Sequence, residues 1–174
     1  GQMRRVHPRL CQHFGEKGRH HGRAVQRAAA HEKSLEVGSM NERNHMEFAE
    51  RTKEGYQVLV NTPLWRFALL GWAPRFDESS PLQLERHMKT DEVFILLSGE
   101  ATIIEGGAGD APADVVCTKL RPLESCNLPA AVWHHIHVSR DGVVAIAENA
   151  DTSKANTEYA DWKGDVRYVD RGAD

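Results

Sequence analysis

The sequence predicts an all-β protein, a sandwich or barrel of antiparallel strands. Eight or nine short stretches beyond residue 55 are rich in β-branched, aromatic or alternating apolar residues. Turn-forming Pro, Gly, Asn, Asp and Ser residues separate nearly all of these stretches. Helical segments of about 10–15 residues do not occur between them, so an alternating β-α-β fold is excluded.

The predicted elements follow one another along the chain. A polar stretch after residue 40 predicts one short helix around Met46 to Lys53. Strands are then predicted at Tyr56–Val60, Trp65–Trp72, Gln83–His87, Glu92–Leu97, Glu100–Glu105, Val115–Leu120, Glu124–Leu128, Val132–Ser139 and Val143–Glu148. We expect residues 40–174 to form a single domain, because about 135 residues can bury somewhat under 70% of the surface of the unfolded chain.

The first 39 residues differ in composition from the rest of the chain. They hold eight Lys or Arg against three Asp or Glu and neither Trp nor Tyr, whereas residues 40–174 hold fourteen against twenty-two. So little apolar surface predicts a mostly disordered basic extension, either native or derived from an expression vector, ahead of a start at Ser39-Met40. A nucleic-acid partner is disfavoured because the remainder is acidic and has no helix-turn-helix pattern.

Composition also indicates the environment. No apolar run approaches the roughly 18 residues of a bilayer-spanning helix, so no membrane partner is expected. Three cysteines, Cys11, Cys117 and Cys126, have neither the number nor the spacing of a disulfide framework or a zinc finger. We therefore expect a reducing, cytoplasmic setting, with Cys117 and Cys126 as small buried residues.

Residues that can carry chemistry concentrate at two places. Glu85 and His87 lie two apart on one predicted strand and therefore share a face, and Glu92 opens the next strand after a four-residue turn. His134 lies on a distant strand. A barrel can bring these four side chains together.

The first cluster resembles a motif of the cupin superfamily, whose members are small jelly-roll barrels. That motif contains His-x-His, then Glu after three or four residues, then Gly after six more. His87 matches the second histidine, and Glu92 and Gly99 follow at the family spacing. Glu85 replaces the first histidine.

The second cluster resembles the second cupin motif. Pro129 and His134 match its Pro and His, while Ala131 and Val138 stand in place of its Gly and Asn. The resemblance covers roughly residues 64–149 and implies a double-stranded β-helix, the cupin jelly-roll barrel. The ending after residue 147 is similar to small single-domain cupins of the WbuC type.

The resemblance implies a metal site formed by Glu85, His87, Glu92 and His134. Imidazole and carboxylate ligands suit a divalent Fe, Mn, Ni, Zn or Cu ion. Glu85 and Glu92 are also candidate catalytic bases. Glu85 has an alternative role, either binding substrate or pairing with an arginine such as Arg66.

Two function classes follow from this site. The first is a metal-dependent enzyme that acts on a small polar metabolite, such as a sugar derivative or a carboxylic acid. The second is a non-catalytic cupin module that binds a sugar or small metabolite. In either case, the apolar alternation of Val93, Ile95 and Leu97 predicts a face that pairs two copies into a homodimer.

Three residues close to His134 in the sequence are predicted to have structural roles. His135 and His137 share the other face of the strand and are predicted to point outward or into the second sheet, as surface or interface histidines. Trp133 is predicted to be a core residue that could also border the pocket.

Overall fold

A computed structural model of the chain describes residues 5–6 and 46–172. These residues form twelve strands and one 3-10 turn, Pro74–Phe76, and they contain no α-helix. The strands are β1 Arg5–Val6, β2 Tyr56–Asn61, β3 Trp65–Gly71, β4 Gln83–His87, β5 Glu92–Ser98, β6 Ala101–Glu105, β7 Val116–Lys119, β8 Ser125–Leu128, β9 His134–Val138, β10 Val143–Asn149, β11 Thr157–Asp161 and β12 Val166–Tyr168. Apart from β1, the predicted extension over residues 1–39 lies outside the described residues.

The strands form two sheets. One has the order β1-β12-β7-β6-β9-β4-β11, and the other has the order β2-β3-β10-β5-β8. Among the described strands, neighbours pair antiparallel except β7 and β12, which pair parallel. This nearly all-β architecture confirms the predicted fold class and is consistent with a cupin β-barrel.

The helix predicted over residues 46–53 is wrong, because this stretch forms no helix. The backbone N–H groups of Thr52 and Lys53 donate to the side-chain oxygen of Gln57, at 2.9 and 3.0 Å, instead of to helical carbonyl groups. The segment is polar, and it lacks the apolar stripe with which a helix would pack.

An apolar core is built from residues that alternate along the central strands. It contains Ala68, Leu70, Phe94, Leu96, Ile103, Ile136, Val144 and Ile146, all less than 6% exposed, among others. Period-two alternation places every second residue of β3, β5, β9 and β10 in this core. Glu92, at the start of β5, and Glu148, near the end of β10, occupy the same alternating positions as these core residues. The predicted metal-binding residues therefore lie at one end of the core.

Two turns explain where the strands end. Gly99 separates β5 from β6 with φ of 66°, and a Cβ atom there would lie 2.6 Å from the backbone of Gly142. Only glycine meets both conditions without strain. The predicted strand Val132–Ser139 is shorter in the structure, since the N–H of Trp133 donates to Gly107 O at 2.8 Å in a loop before β9 begins.

None of the described helical residues forms a segment long and apolar enough to cross a membrane.

Candidate metal centre

The structure brings the predicted residues into one locality. The ring centroids of His87 and His134 lie 5.3 Å apart. Oε2 of Glu92 lies 3.1 Å from Nε2 of His87 and 3.0 Å from Nε2 of His134. Glu85 stands directly opposite His134 across the β4–β9 pair. Strands distant in sequence therefore present two imidazole rings and two carboxylates to one region.

Local structure fixes the two strand ends that carry His87 and Glu92. After β4, the N–H of Met88 donates to Asn156 O at 2.9 Å, and His87 O accepts the N–H of Ala131 at 2.8 Å. The hydroxyl of Thr90 accepts the N–H of Asn149 at 2.9 Å, which ties the turn to β10. These bonds hold the turn between the two strands in place.

Both histidines are oriented through their Nδ1 atoms. Nδ1–H of His134 donates to the carbonyl oxygen of Val132 at 2.8 Å, and Nδ1 of His87 lies 2.9 Å from the hydroxyl of Thr157. Anchoring one ring nitrogen to a protein oxygen sets the ring orientation, and it leaves the other nitrogen to face a ligand. In both rings the other nitrogen, Nε2, faces Glu92.

The charges of Glu92 and His134 depend on each other. Burial alone would raise the pKa of Glu92, but hydrogen bonds from His134 and His87 outweigh burial and lower this pKa to about 2. Burial would lower the pKa of His134, but the hydrogen bond to Glu92 and its negative charge raise it. The site thus holds a buried carboxylate against a histidine that readily accepts a proton.

Glu85 is held by an arginine that the sequence argument did not name. Nη2 of Arg75 donates to Oε2 of Glu85 at 3.0 Å. Arg75 also lies over the ring of Tyr159, with 5.8 Å to the ring centroid. Arg66, the arginine suggested as a partner for Glu85, instead lies 3.9 Å from Oε1 of Glu148.

Glu148 is a member of the site that sequence reasoning missed. It is 8% exposed, and its Oε1 accepts a 2.5 Å hydrogen bond from the hydroxyl of Tyr56. Burial, together with this hydrogen bond, raises the pKa of Tyr56. The available signal was alternation, because Glu148 shares its strand face with the core residues Val144 and Ile146.

The donor atoms form two groups that share His87. Glu85, His87 and His134 present donor atoms within 4.8 Å of one another, and His87, Glu92 and Glu148 do the same. Oε2 of Glu148 is buried without a hydrogen-bond partner among the described residues. A cation beside these groups would reduce the repulsion between the buried carboxylates, so the groups could bind a divalent metal.

His135 and His137 are not surface histidines. His135 is 3% exposed, and the ring of Phe76 stacks on it with centroids 6.0 Å apart. Burial lowers the pKa of His135 to about 3 and that of His137 to about 4. The outward orientation, one of the two that were predicted, is wrong for His135, because Phe76 of the 3-10 turn covers its ring. No pattern in the sequence predicts that contact.

Trp133 is a core residue, as predicted. It is 3% exposed, its Nε1–H donates to Gly109 O at 3.0 Å, and the guanidinium of Arg86 lies 4.4 Å from its ring centroid. Cys117 is fully buried and Cys126 is half-buried.

Solved structures similar to this chain include proteins of the cupin type. The capsular polysaccharide assembling protein CapF from Staphylococcus aureus matches over 70% of this chain and 33% of its own length, with 14% identity and a TM-score of 0.48. The chain thus spans about a third of CapF.

Two smaller proteins match over most of their length. The Streptomyces protein PAC13, solved with uridine, is covered to 87% and covers 67% of this chain, with 9% identity and a TM-score of 0.47. A cupin-2 domain containing protein from Shewanella frigidimarina is covered to 84% and covers 57% of this chain, with 21% identity and a TM-score of 0.41. Neither a protein-family model nor a curated protein sequence matches the chain.

Proposed function

We propose that this protein is a metal-dependent enzyme of the cupin type that acts on a small polar metabolite, with sugar derivatives and carboxylic acids as the substrate classes that the motifs suggest. The observation that carries the proposal is the pair of histidines with anchored Nδ1 atoms. Both Nε2 atoms lie within 3.1 Å of one buried carboxylate oxygen of Glu92. Protein sites that bind first-row metals use this arrangement of ligand and supporting hydrogen bond.

The proposed ligands are His87, Glu92 and His134, with Glu85 completing the set once it releases Arg75. These residues would hold a divalent Fe, Mn, Ni, Zn or Cu ion, which would supply Lewis-acid chemistry towards a substrate oxygen. The chain supplies the rest of the chemistry. Arg75 can donate hydrogen bonds to a polar group of the substrate when it leaves Glu85, because its side chain is about half exposed.

Proton transfer is proposed for Glu148 in addition to Glu85 and Glu92. Glu92 is engaged by both histidines and Glu85 by Arg75, whereas Oε2 of Glu148 accepts no hydrogen bond from the described residues. Its other oxygen is held by the Tyr56 hydroxyl. A carboxylate that has one oxygen fixed and the other without a hydrogen-bond partner can take a proton from a substrate group that reaches it, which is the task of a general base.

A non-catalytic binding module is the second candidate. One observation favours it: the Arg75–Glu85 ion pair occupies a carboxylate that an enzyme of this type would need. In that case the same pocket holds a sugar or small metabolite, and bound metal fixes the ligand without turnover.

Elemental analysis of protein purified without a histidine tag tests the metal proposal. We expect about one equivalent of a first-row metal in the full-length chain and a loss of metal affinity of orders of magnitude in His134→Ala. His137→Ala is the matched control, because His137 lies on the same strand but outside both donor groups. Full metal occupancy in a His87/His134 double alanine variant would contradict the proposal.

Glu85→Gln separates a metal ligand from a substrate-binding or catalytic group. The substitution removes the negative charge with almost no change of shape. Loss of metal would indicate coordination, whereas retained metal with lost turnover or substrate binding would indicate a base or a substrate contact.

A further inference from the structure

A cavity of about 330 Å³ lies at one edge of the core, and its lining includes the exposed residues Glu124, Ser125 and Arg171. Its walls come from β6, β7 and β8, and its aliphatic lining includes Ile103, Val116, Leu120 and Leu128. This volume is at the lower end of the range, about 300–1,000 Å³, that ligand pockets occupy. The cavity therefore suits a small molecule with an apolar body.

Strand register places this cavity next to the metal-binding side chains. Glu105, which lines the cavity, is the direct partner of His134 across the β6–β9 pair. Leu128, also a lining residue, is the direct partner of Glu92 across the β5–β8 pair. Directly opposed residues of antiparallel strands point to the same face of the sheet, so a ligand in the cavity has one end at the metal centre.

Two of the three charged lining residues pair with each other, and the third, Glu105, accepts a hydrogen bond from the N–H of Gly107 at 2.7 Å. Arg171 donates to both carboxylate oxygens of Glu124, at 2.8 and 2.9 Å. A bidentate pair of this kind leaves no net charge for a ligand to balance. The part of the ligand that fills the cavity is therefore uncharged.

The charges around the candidate metal centre also favour an uncharged ligand. Glu85 pairs with Arg75, Glu148 lies 3.9 Å from Arg66, and Glu92 is held by His87 and His134. Each of these carboxylates therefore already has a positively charged or protonatable partner. An additional carboxylate on the ligand would lack such a partner in a buried site, whereas a hydroxyl or carbonyl oxygen needs none.

We propose that the substrate is a small uncharged molecule whose apolar body fills the cavity between β6, β7 and β8 and whose hydroxyl or carbonyl oxygen reaches the metal centre. This inference rests on the proposed function for its polar end. It departs from the two substrate classes that the motifs suggest, because a sugar has no apolar body and a carboxylic acid carries a charge.

The test compares three probes by ligand-observed NMR titration of the full-length protein loaded with Zn²⁺. Benzyl alcohol carries a ring and a hydroxyl, phenylacetate carries the same ring with a charge, and glucose carries hydroxyls without an apolar body. We expect benzyl alcohol to bind about 10- to 100-fold more tightly than glucose, because the ring leaves water, and more tightly than phenylacetate. Equal or tighter binding of either glucose or phenylacetate would overturn the proposal.

Variants locate the binding. Cys126→Trp fills the cavity from β8 and should abolish benzyl alcohol binding. Asn127→Trp is the matched control, since the next residue of β8 points to the other face and is exposed, and it should leave binding unchanged. If the filled variant does not fold, nuclear Overhauser contacts between the probe ring and the methyl groups of Ile103 and Leu128 in the unaltered protein give the same information. Ring contacts confined to other residues would contradict the proposal.

Metal dependence separates this inference from the proposed function. Benzyl alcohol that binds in the cavity equally well with and without Zn²⁺ would show that its hydroxyl does not reach the metal centre and would overturn this inference, whereas the metal function is tested by Zn²⁺ binding itself. Confirmed Zn²⁺ binding without binding of benzyl alcohol would overturn this inference and leave the metal function standing.

Discussion

The ion pair between Glu92 and His134 offers a quantitative test of the site in metal-free protein. Hydrogen bonds from the histidines, acting against burial, lower the pKa of Glu92 from its usual 4.5 to about 2. This change corresponds to about 3 kcal/mol of stabilisation of the ionised carboxylate, at about 1.4 kcal/mol for each tenfold change in acidity. Glu92→Gln keeps the shape and removes the charge, so we expect it to lower the free energy of unfolding by about 3 kcal/mol.

The pH dependence of this loss has a definite sign. A lowered carboxyl pKa stabilises the fold above 4.5, and the stabilisation is lost as pH falls towards about 2. The raised pKa of His134 stabilises the fold below 6.5, and that stabilisation is lost as pH rises through the pKa of the folded protein. The difference between the unaltered protein and Glu92→Gln is therefore largest between about pH 4.5 and 6.5, and it declines on both sides.

Urea unfolding in the presence of a chelator measures the difference at pH 3, 5.5 and 8.5. Glu100→Gln is the control, because Glu100 pairs with Lys119 at 3.2 Å with both side chains more than 40% exposed. An exposed pair contributes about 0–1 kcal/mol. A Glu92→Gln effect below about 1 kcal/mol at pH 5.5, or one that is the same at all three pH values, would refute the account of a buried, coupled pair.

Three further predictions address the fold, the missed carboxylate and assembly. Gly99→Ala should lower the free energy of unfolding by about 2 kcal/mol or more, because the φ of Gly99 is 66° and the new Cβ would lie 2.6 Å from Gly142. The control, Gly107→Ala, should lower it by only about 1 kcal/mol, because Gly107 has φ of 74° but open space around it. Equal urea midpoints for the two variants would contradict this reasoning. Glu148→Gln should lower turnover by about 100-fold or more while metal content persists, and unchanged turnover on an identified substrate would exclude it as the base. Leu97 is 44% exposed and shares the outer face of β5 with Ile95 and Val93, and we expect a homodimer to bury its side chain. Sedimentation equilibrium should show a dimer that Leu97→Glu converts to a monomer. A monomeric unaltered protein at micromolar concentration would remove this proposal.

Strand patterning made most of the central fold predictable. Gln83–His87 forms the predicted strand, and β5 and β10 extend the predicted ranges by one residue each. Alternating apolar residues have only one face to bury, so local pattern and tertiary structure agree in these strands. The four predicted site residues come together for the same reason.

Other elements lacked a local signal. β11 is polar and mostly exposed, and it forms because its backbone pairs with the full length of β4, a long-range contact that no pattern in its own residues reports. The cover that the 3-10 turn places on His135 is likewise a tertiary contact. Glu148 was visible in the alternation of β10, but its partner Tyr56 lies 92 residues away in the sequence.

X-ray absorption spectroscopy of the zinc-loaded, tag-free protein tests the central claim most directly. The account predicts a coordination shell of two imidazole nitrogens at about 2.0–2.1 Å with carboxylate oxygens at about 2.0–2.2 Å, and loss of one imidazole from the spectrum in His87→Ala. A shell without imidazole, or a spectrum identical in the unaltered protein and His87→Ala, would contradict it.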